Sequence, residues 1–242
     1  MRQVPDIPKH LLVGGGRLAR HLAFYFEKLY TPYSSWNRND NSTADLVKKM
    51  GSHKNILLCI NDDQISDFYD QFKNDAANFI HFSGTLEHSK ITGFHPLMSF
   101  GHKLYELKDY KKIHFVGTPS ENIFREAFPE FPNPYSEITA EQKSLYHSLC
   151  VLSGNGTTLL WDLIHQEFKR IGLPESALNP YLQQVSKNII ENQQGRWTGP
   201  WYRKDQSTIQ KNKVALKDRP LHDLYLEMEK LSAHSRFDNE KH

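Results

Sequence analysis

The sequence predicts an α/β fold: an N-terminal, mostly parallel open sheet followed by an all-α C-terminal part. Three observations predict it. A glycine turn, Gly14-Gly15-Gly16, joins an apolar run (Leu11, Leu12, Val13) to a helical stripe of Leu18, Leu22, Phe26 and Leu29. Asn55 to Ile60 is a continuous apolar run, the kind buried on both faces of a parallel sheet. Beyond Thr139 the strand patterns cease, and apolar residues recur at helical spacing.

Taken in order, residues 9–13 read as the first strand and 17–29 as the first helix. Tyr33 to Trp36 reads as the second strand, followed by the polar loop 37–41. Ser42 and Asp45 form a capping-box-like helix start. After the strand from Asn55, residues Ile65, Phe68, Tyr69 and Phe72 make a helical stripe. Residues 78–82, 91–94 and 113–116 read as further strands. Thr118-Pro119-Ser120-Glu121 predicts a helix capped by Thr118, with Pro119 at its first position. The prolines 132 and 134 suggest a boundary, giving domains 1–134 and 135–242. Thr139 to Gln142 is a capping box, and one long helix follows to about Ile171. Its apolar stripe is Leu145, Leu149, Leu152, Gly156, Leu159 and Leu163. At Gly156 a close packing contact is expected, because glycine weakens a helix. A helix carrying Leu182, Val185 and Ile189, a turn over 194–200, and helices at about 206–217 and 221–233 complete the chain. The tail from Ser232 to His242 is polar and expected to fray.

A chain of 242 residues can bury a substantial core. Its formal net charge of +2 gives no strong attraction to nucleic acid or membrane, so neither is an expected partner. No apolar run reaches membrane-spanning length, and the N-terminus lacks a signal-peptide core. Cys59 and Cys150 both lie in apolar runs, read as buried hydrophobes rather than a disulfide. A cytoplasmic protein is the expectation. Thirteen histidines invite a metal reading, but no HExxH or paired short-spacing motif supports one, and no metal site is assigned.

The glycine turn carries the first chemical reading. Strand, glycine turn and helix is the context in which G-x-G-x-x-[GA] (Gly14, Gly16, Ala19) reads as a dinucleotide site rather than an ordinary turn. Gly14 permits the turn, Gly16 lets backbone approach a pyrophosphate, and Ala19 allows close packing of helix on strand. Gly15 lies within the turn, and Arg17 and Leu18 open the helix whose N–H groups face the phosphates. Arg38 lies 22 residues past Gly16, beside Asn37. A guanidinium suits a 2′-phosphate, which favours NADP(H); if the second strand ran two residues longer, Asp40 would favour NAD(H). Asn61 and Asp62 end the apolar strand where parallel strands meet a ligand crevice, and Asp62 could equally cap the next helix. Ser83 ends another strand at the same edge, with His95 shortly after, while His81 inside the strand reads as core. On the long helix, His147, Val151, Asn155 and Thr158 fall opposite the leucine stripe at 100° per residue. His147 and Asn155 are then about 12 Å apart along the axis. Periodicity alone favours a solvated face there, with a cleft-facing one as the sharper alternative. Thr198 to Asp205 is rich in turn formers; Arg203 could hold a carboxylate, and Asp205 could pair with it or cap the next helix.

The ordered motifs GGGRLA, NDD, HFSG, GFHP, YH…N and TGPWYRKD resemble the Rossmann-like/DUF2520 family over about residues 10–225. That family is similar to pyrroline-5-carboxylate reductase, the β-hydroxyacid dehydrogenases and the coenzyme-F420-dependent NADP oxidoreductases. The resemblance implies an NADP-binding domain, then an all-helical domain, with the substrate site between them. It also implies that Ser83, Gly84, His95, His147, Asn155, Thr198, Gly199, Pro200, Arg203 and Asp205 stand at motif positions. Two departures are visible: Gly154 precedes Asn155 where the family tends to have serine, and Lys204 replaces a usual glycine. The expectation is an NADP(H)-dependent oxidoreductase acting on a small carbonyl, imine or hydroxy-acid substrate. His147 would be the proton donor or acceptor, His95 the second choice, and Ser83 and Asn155 positioning groups. Thr198, Arg203 and Asp205 would bind substrate, with Arg203 on an anionic end. The rivals are a non-catalytic NADP(H)-binding sensor or assembly protein, and an interaction protein whose glycine turn is vestigial. A homodimer through the helical region is expected, because its apolar helices exceed what one small sheet domain can cover.

Overall fold

The computed structural model describes residues 9–191 and 197–234. The chain divides into two compact units, Met1–Gly154 and Asn155–His242. The turn residues 194–196 and the tail from 235 lie outside the described residues.

The first unit is built on β1 (His10–Val13), which feeds α1 (Arg17–Lys28), β2 (Tyr33–Trp36) and α2 (Thr43–Met50). Then come β3 (Asn55–Leu58), a 3-10 turn (Asp62–Gln64), α3 (Ile65–Phe72), β4 (Asn78–His81) and β5 (Thr92–Gly93). These five strands form one parallel sheet in the order β2-β1-β3-β4-β5. His10, Leu11, Leu12 and Val13 pair in register with Tyr33–Trp36 on one side and Asn55–Leu58 on the other. The inner strands β1 and β3 are buried along their whole length because both faces are covered, and alternate side chains go to opposite cores. Leu12, Leu57 and Ile80 join Leu22, Tyr25 and Phe26 of α1. Leu11, Val13, Ile56, Leu58 and Phe79 join Leu46, Met50 and Ile65 from the helices opposite. Each large side chain so buried stabilises the fold by about 1.5–3 kcal/mol.

The expected capping box at Ser42 and Asp45 is present, each side chain satisfying the other's backbone N–H. A smaller sheet follows: β6 (His95–Pro96) antiparallel to β7 (Phe115–Gly117), which is parallel to β8 (Tyr135–Glu137). Between them lie α4 (Leu107–Tyr110) and α5 (Glu121–Ala127). Here one expectation is corrected. Thr118 does not cap α5; Ser120 is the N-cap, and the helix starts at Glu121. The Tyr135 hydroxyl donates to the Pro119 carbonyl, tying that segment to β8. Pro134 therefore lies inside the first unit, which continues through β8 into α6 (Ala140–Val151). Asn133 closes this region, accepting from Tyr25 OH and donating to the carbonyls of Tyr110 and Ile113.

The Thr139/Gln142 capping box is also present at the start of α6. The expected single helix is interrupted by a π-turn, Leu152–Gly156, before α7 (Thr157–Arg170). The 100° phase therefore does not carry through from His147 to Asn155. The second unit continues with a 3-10 turn (Glu175–Leu178), α8 (Asn179–Glu191), α9 (Pro200–Arg203), α10 (Gln206–Leu216) and α11 (His222–His234). Trp201 packs on Tyr225 at 4.9 Å, and Lys213 pairs with Glu229 at 2.9 Å. Among the described residues no helix is long and apolar enough to cross a membrane.

Candidate functional site

Parallel sheets leave a crevice at the carboxyl ends of their strands where the strand order reverses. In this unit that point lies between β1 and β3. A cleft of about 540 Å³ opens there, lined by Gly14, Gly15, Gly16, Asn37, Arg38 and Asn61 among others. Gly14 has φ +129°, and a Cβ there would lie 2.3 Å from the Cys59 carbonyl oxygen. Only glycine fits. Gly16 is extended (φ −74°), caps α1 with no side-chain hydrogen bond, and a Cβ on it would meet nothing within 4 Å. The first N–H groups of α1, those of Arg17 and Leu18 included, thus have no helical partner and carry the positive end of the helix dipole. Arg17 and Leu18 side chains do not line the cleft, and neither does Asp62.

The end of β2 bears on the choice of nucleotide. The strand stops at Trp36, without the two further residues an Asp40 reading needed. Asn37 then makes a tight polar turn: its Oδ1 accepts from the N–H groups of Asn39 and Asp40, and its Nδ2 donates to Asp40 at 2.8 Å. Asp40 is occupied within its own loop, while exposed Arg38 lines the cleft. Cys59 is buried beside the turn, and burial pushes its thiol pKa up. Cys150 is only half-buried, so it is not the core residue the sequence suggested.

A second group of side chains forms where the loop after β4 meets α6. Ser83 is buried, and its hydroxyl is committed: it donates to Asp62 and accepts from the N–H groups of Thr85 and Leu86. Asp62 thus serves Ser83 rather than capping a helix; Asn61 stands at that cap. His147 packs on Gly84 so closely that a Cβ there would lie 2.2 Å from His147 Cδ2. His95 stands edge-on to His147 with ring centres 5.9 Å apart, and its Nδ1 is hydrogen-bonded to Tyr146 OH at 2.7 Å. Burial, then the neighbouring His147 and Lys143, push His95 down to about 4 against the opposing pull of Asp62. His95 is therefore neutral at pH 7. Tyr146 is pushed up by burial and its contact with Cys150, so it stays a phenol. Sequence reasoning missed Tyr146; the only signal was its place beside His147 and one turn before Cys150. Of the residues opposite the leucine stripe, Val151, Asn155 and Thr158 are exposed, as periodicity favoured, but His147 is half-buried and Lys143, one turn before it, is buried, whereas Leu145, Leu149 and Leu152 are 63%, 56% and 68% exposed.

The remaining candidates belong to the second unit. Asn155, Thr198 and Arg203 are exposed. Gly199 has φ +90° and precedes α9. Asp205 caps α10, accepting from Thr208 N–H at 3.1 Å and Thr208 Oγ1 at 2.7 Å. Lys204 is left-handed at φ +56°, a conformation that glycine adopts without strain.

A five-stranded parallel sheet with a glycine-lined cleft at its switch point defines a doubly wound α/β protein of the Rossmann-like class. Residues 117–231 match the family model described as a domain of unknown function, DUF2520, bearing out the resemblance carried by the motifs. No curated protein matches the chain. Among solved structures it is similar to a "putative NADP oxidoreductase" from Bacteroides fragilis, at 19% identity over 93% of this chain and 98% of that one, with a TM-score of 0.73. A Thermotoga maritima protein aligns at 23% identity over 93% and 97%, with a TM-score of 0.72. Pyrroline carboxylate reductase of Plasmodium falciparum, solved with NADP bound, aligns at 10% identity over 98% and 97%, with a TM-score of 0.61. At these identities the likeness establishes the fold.

Proposed function

We propose that this chain is an NADP(H)-dependent oxidoreductase acting on a small carbonyl, imine or hydroxy-acid substrate. The observation that carries the reading is the uncapped N-terminus of α1 behind Gly14 and Gly16, with Arg38 lining the same cleft. The cleft fits the cofactor: backbone N–H groups for a pyrophosphate, open space at Gly16, and a guanidinium for a 2′-phosphate. Among the similar structures are a protein described as a putative NADP oxidoreductase and a reductase solved with NADP bound, which supports the same choice. A bound nicotinamide supplies or accepts the hydride, and the chain supplies orientation and a proton.

His147 is the residue proposed to give or take that proton. Imidazole is suited to this work near neutrality. His95, neutral and held by Tyr146, fixes the surroundings of the His147 ring. Ser83 acts indirectly by anchoring Asp62 and the turn that presents Gly84 to His147. Asn155, Thr198 and Arg203 are proposed for the polar or anionic end of the substrate on the family resemblance alone, and Asp205 supports Arg203 by starting α10. The exposed leucines of α6 support the further proposal of a homodimer through the helical region, which sedimentation at micromolar concentration tests; a monomer there refutes it.

The decisive experiment pairs NADPH titration with turnover on a panel of keto acids and cyclic imines. His147→Asn should lower kcat by about 10²–10⁴-fold, the usual worth of a general acid or base, with NADPH affinity unchanged. Tight NADPH binding without turnover on any substrate would instead support a non-catalytic nucleotide sensor. Failure to bind NADPH removes the proposal.

A further inference from the structure

A second cavity, of about 440 Å³, shares no lining residue with the glycine cleft. His81, Glu87, Lys90, Thr92, Thr118 and Lys143 line it. Its centre of charge is Lys143, whose side chain is 3% exposed. A buried ammonium needs a counter-ion and hydrogen-bond acceptors. Lys143 has both: it donates to the Leu86 carbonyl and pairs with the Glu87 carboxylate at 2.8 Å. The two partners differ in permanence. Leu86 is backbone in the turn anchored by Ser83, whereas the Glu87 side chain is 40% exposed on the loop and can rotate into water.

The other groups around the ammonium are donors. His81 Nδ1 accepts from Ser83 N–H, which places the ring proton on Nε2. Burial, with Lys143 and His88 nearby, holds this imidazole neutral, down to about 3. His81 and Lys143 converge on one point, the place a Gly93 side chain would occupy. From there His81 Nε2 is 2.7 Å and Lys143 Nζ 3.1 Å away. Glycine at this position keeps both donors uncovered. The hydroxyls of Thr92 and Thr118 and the ammonium of Lys90 add donors at the walls. Glu87 is the lone carboxylate among these lining residues.

We propose that this cavity is an anion site, in which the phosphate or carboxylate group of a small molecule replaces Glu87 as the counter-ion of Lys143. Glu87 then acts as a resident competitor that keeps the ammonium neutralised until the anion arrives.

The test is phosphate titration at pH 7.5 and constant ionic strength, read by thermal unfolding and calorimetry, with potassium chloride as the balancing salt. Acetate in a parallel arm separates carboxylate from phosphate recognition. Glu87→Gln removes the competitor from an exposed loop position. This variant should melt lower than wild type without phosphate, recover with it, and bind phosphate at least about tenfold more tightly, because no ion pair has to be broken first. Adding Lys143→Met to Glu87→Gln should abolish that gain. If the double variant does not fold, Glu87→Gln alone still decides. Equal phosphate affinity in wild type and Glu87→Gln would put the anion elsewhere, such as the glycine turn, and would overturn the proposal. Acetate stabilising Glu87→Gln while phosphate does not would narrow the site to carboxylates and support it.

Discussion

Gly14 and Gly16 stand two residues apart in one turn, yet alanine at each should do opposite things. At Gly14 the new Cβ meets backbone, 2.3 Å from the Cys59 oxygen and 2.9 Å from its carbon. Neither atom can rotate away. Relief requires the ends of β1 and β3 to separate by about 1 Å, an overpacking cost of about 1–3 kcal/mol. The φ of +129° adds about 1–3 kcal/mol for a residue with a Cβ. Together these predict a fall in Tm on the order of 5–20 °C for a protein of this size. At Gly16 the Cβ meets nothing and φ is ordinary. The lost N-cap preference, about 0.5–1 kcal/mol, is offset by the reduced entropy of the unfolded chain. Gly16→Ala should therefore melt within a few degrees of wild type, but it should obstruct the approach of a pyrophosphate. Losing one charge-assisted hydrogen bond, about 1.5–3 kcal/mol, weakens NADPH binding by about 10- to 150-fold. Differential scanning fluorimetry and NADPH fluorescence titration on both variants check this. Wild-type stability in Gly14→Ala, or wild-type NADPH affinity in Gly16→Ala, refutes the reasoning for that position.

Three further outcomes are expected. Arg38→Ala should weaken NADPH by about tenfold or more while leaving NADH unchanged; equal losses for both nucleotides in fluorescence titration would contradict the assignment of Arg38 to the 2′-phosphate. His10 is fully buried between Phe26 and Phe128, and burial, then Lys9 and His53, push it down to about 3. Its unfolded form takes up a proton that its folded form refuses, so the stability is complete above about pH 6.5 and is lost as pH falls toward 3. His10→Phe should remove about 2 kcal/mol of the stability lost between pH 7.5 and 5, measured by urea unfolding, and an unchanged pH slope would count against it. Asn133→Ala strands Tyr25 OH and two buried carbonyls and should cost about 3–6 kcal/mol in urea unfolding, whereas a loss under 1 kcal/mol would show that water replaces it.

What was legible in the sequence was local. The glycine turn between β1 and α1 and the capping boxes at Ser42 and Thr139 are settled by residues within four positions of one another. Thr118-Pro119 was misread for the complementary reason. Tyr135, 16 residues later, holds Pro119 outside the helix. The strand that carries Tyr135 has no apolar pattern and exists by pairing with β7. The orientation of α6 was hidden likewise. Its leucines outrank Lys143 and His147 on any hydropathy scale. Lys143 is nevertheless buried because Leu86 and Glu87, more than fifty residues earlier, supply its acceptors. The nucleotide cleft could thus be placed in advance, whereas the Tyr146–His95–His147 group could not, since it depends on which side of α6 meets the loop after β4.

The ring cluster of the first core has a consequence for synthesis. Phe26 stacks on His10 early in the chain, but its other ring partners include Phe131, and the stack is completed by Phe128 on the far side of His10. Tyr25, beside it, finds its acceptor only at Asn133. A ribosome adding about 5–20 residues per second takes on the order of 5–20 s to pass from Phe26 to Phe131. The other four strands of the main sheet, β2 to β5, are made within that interval, and the face under α1 waits for the rest of its cover. The nascent chain therefore carries an exposed aromatic surface through much of its translation, and the tripeptide Phe131-Pro132-Asn133 is the stretch whose emergence ends that exposure.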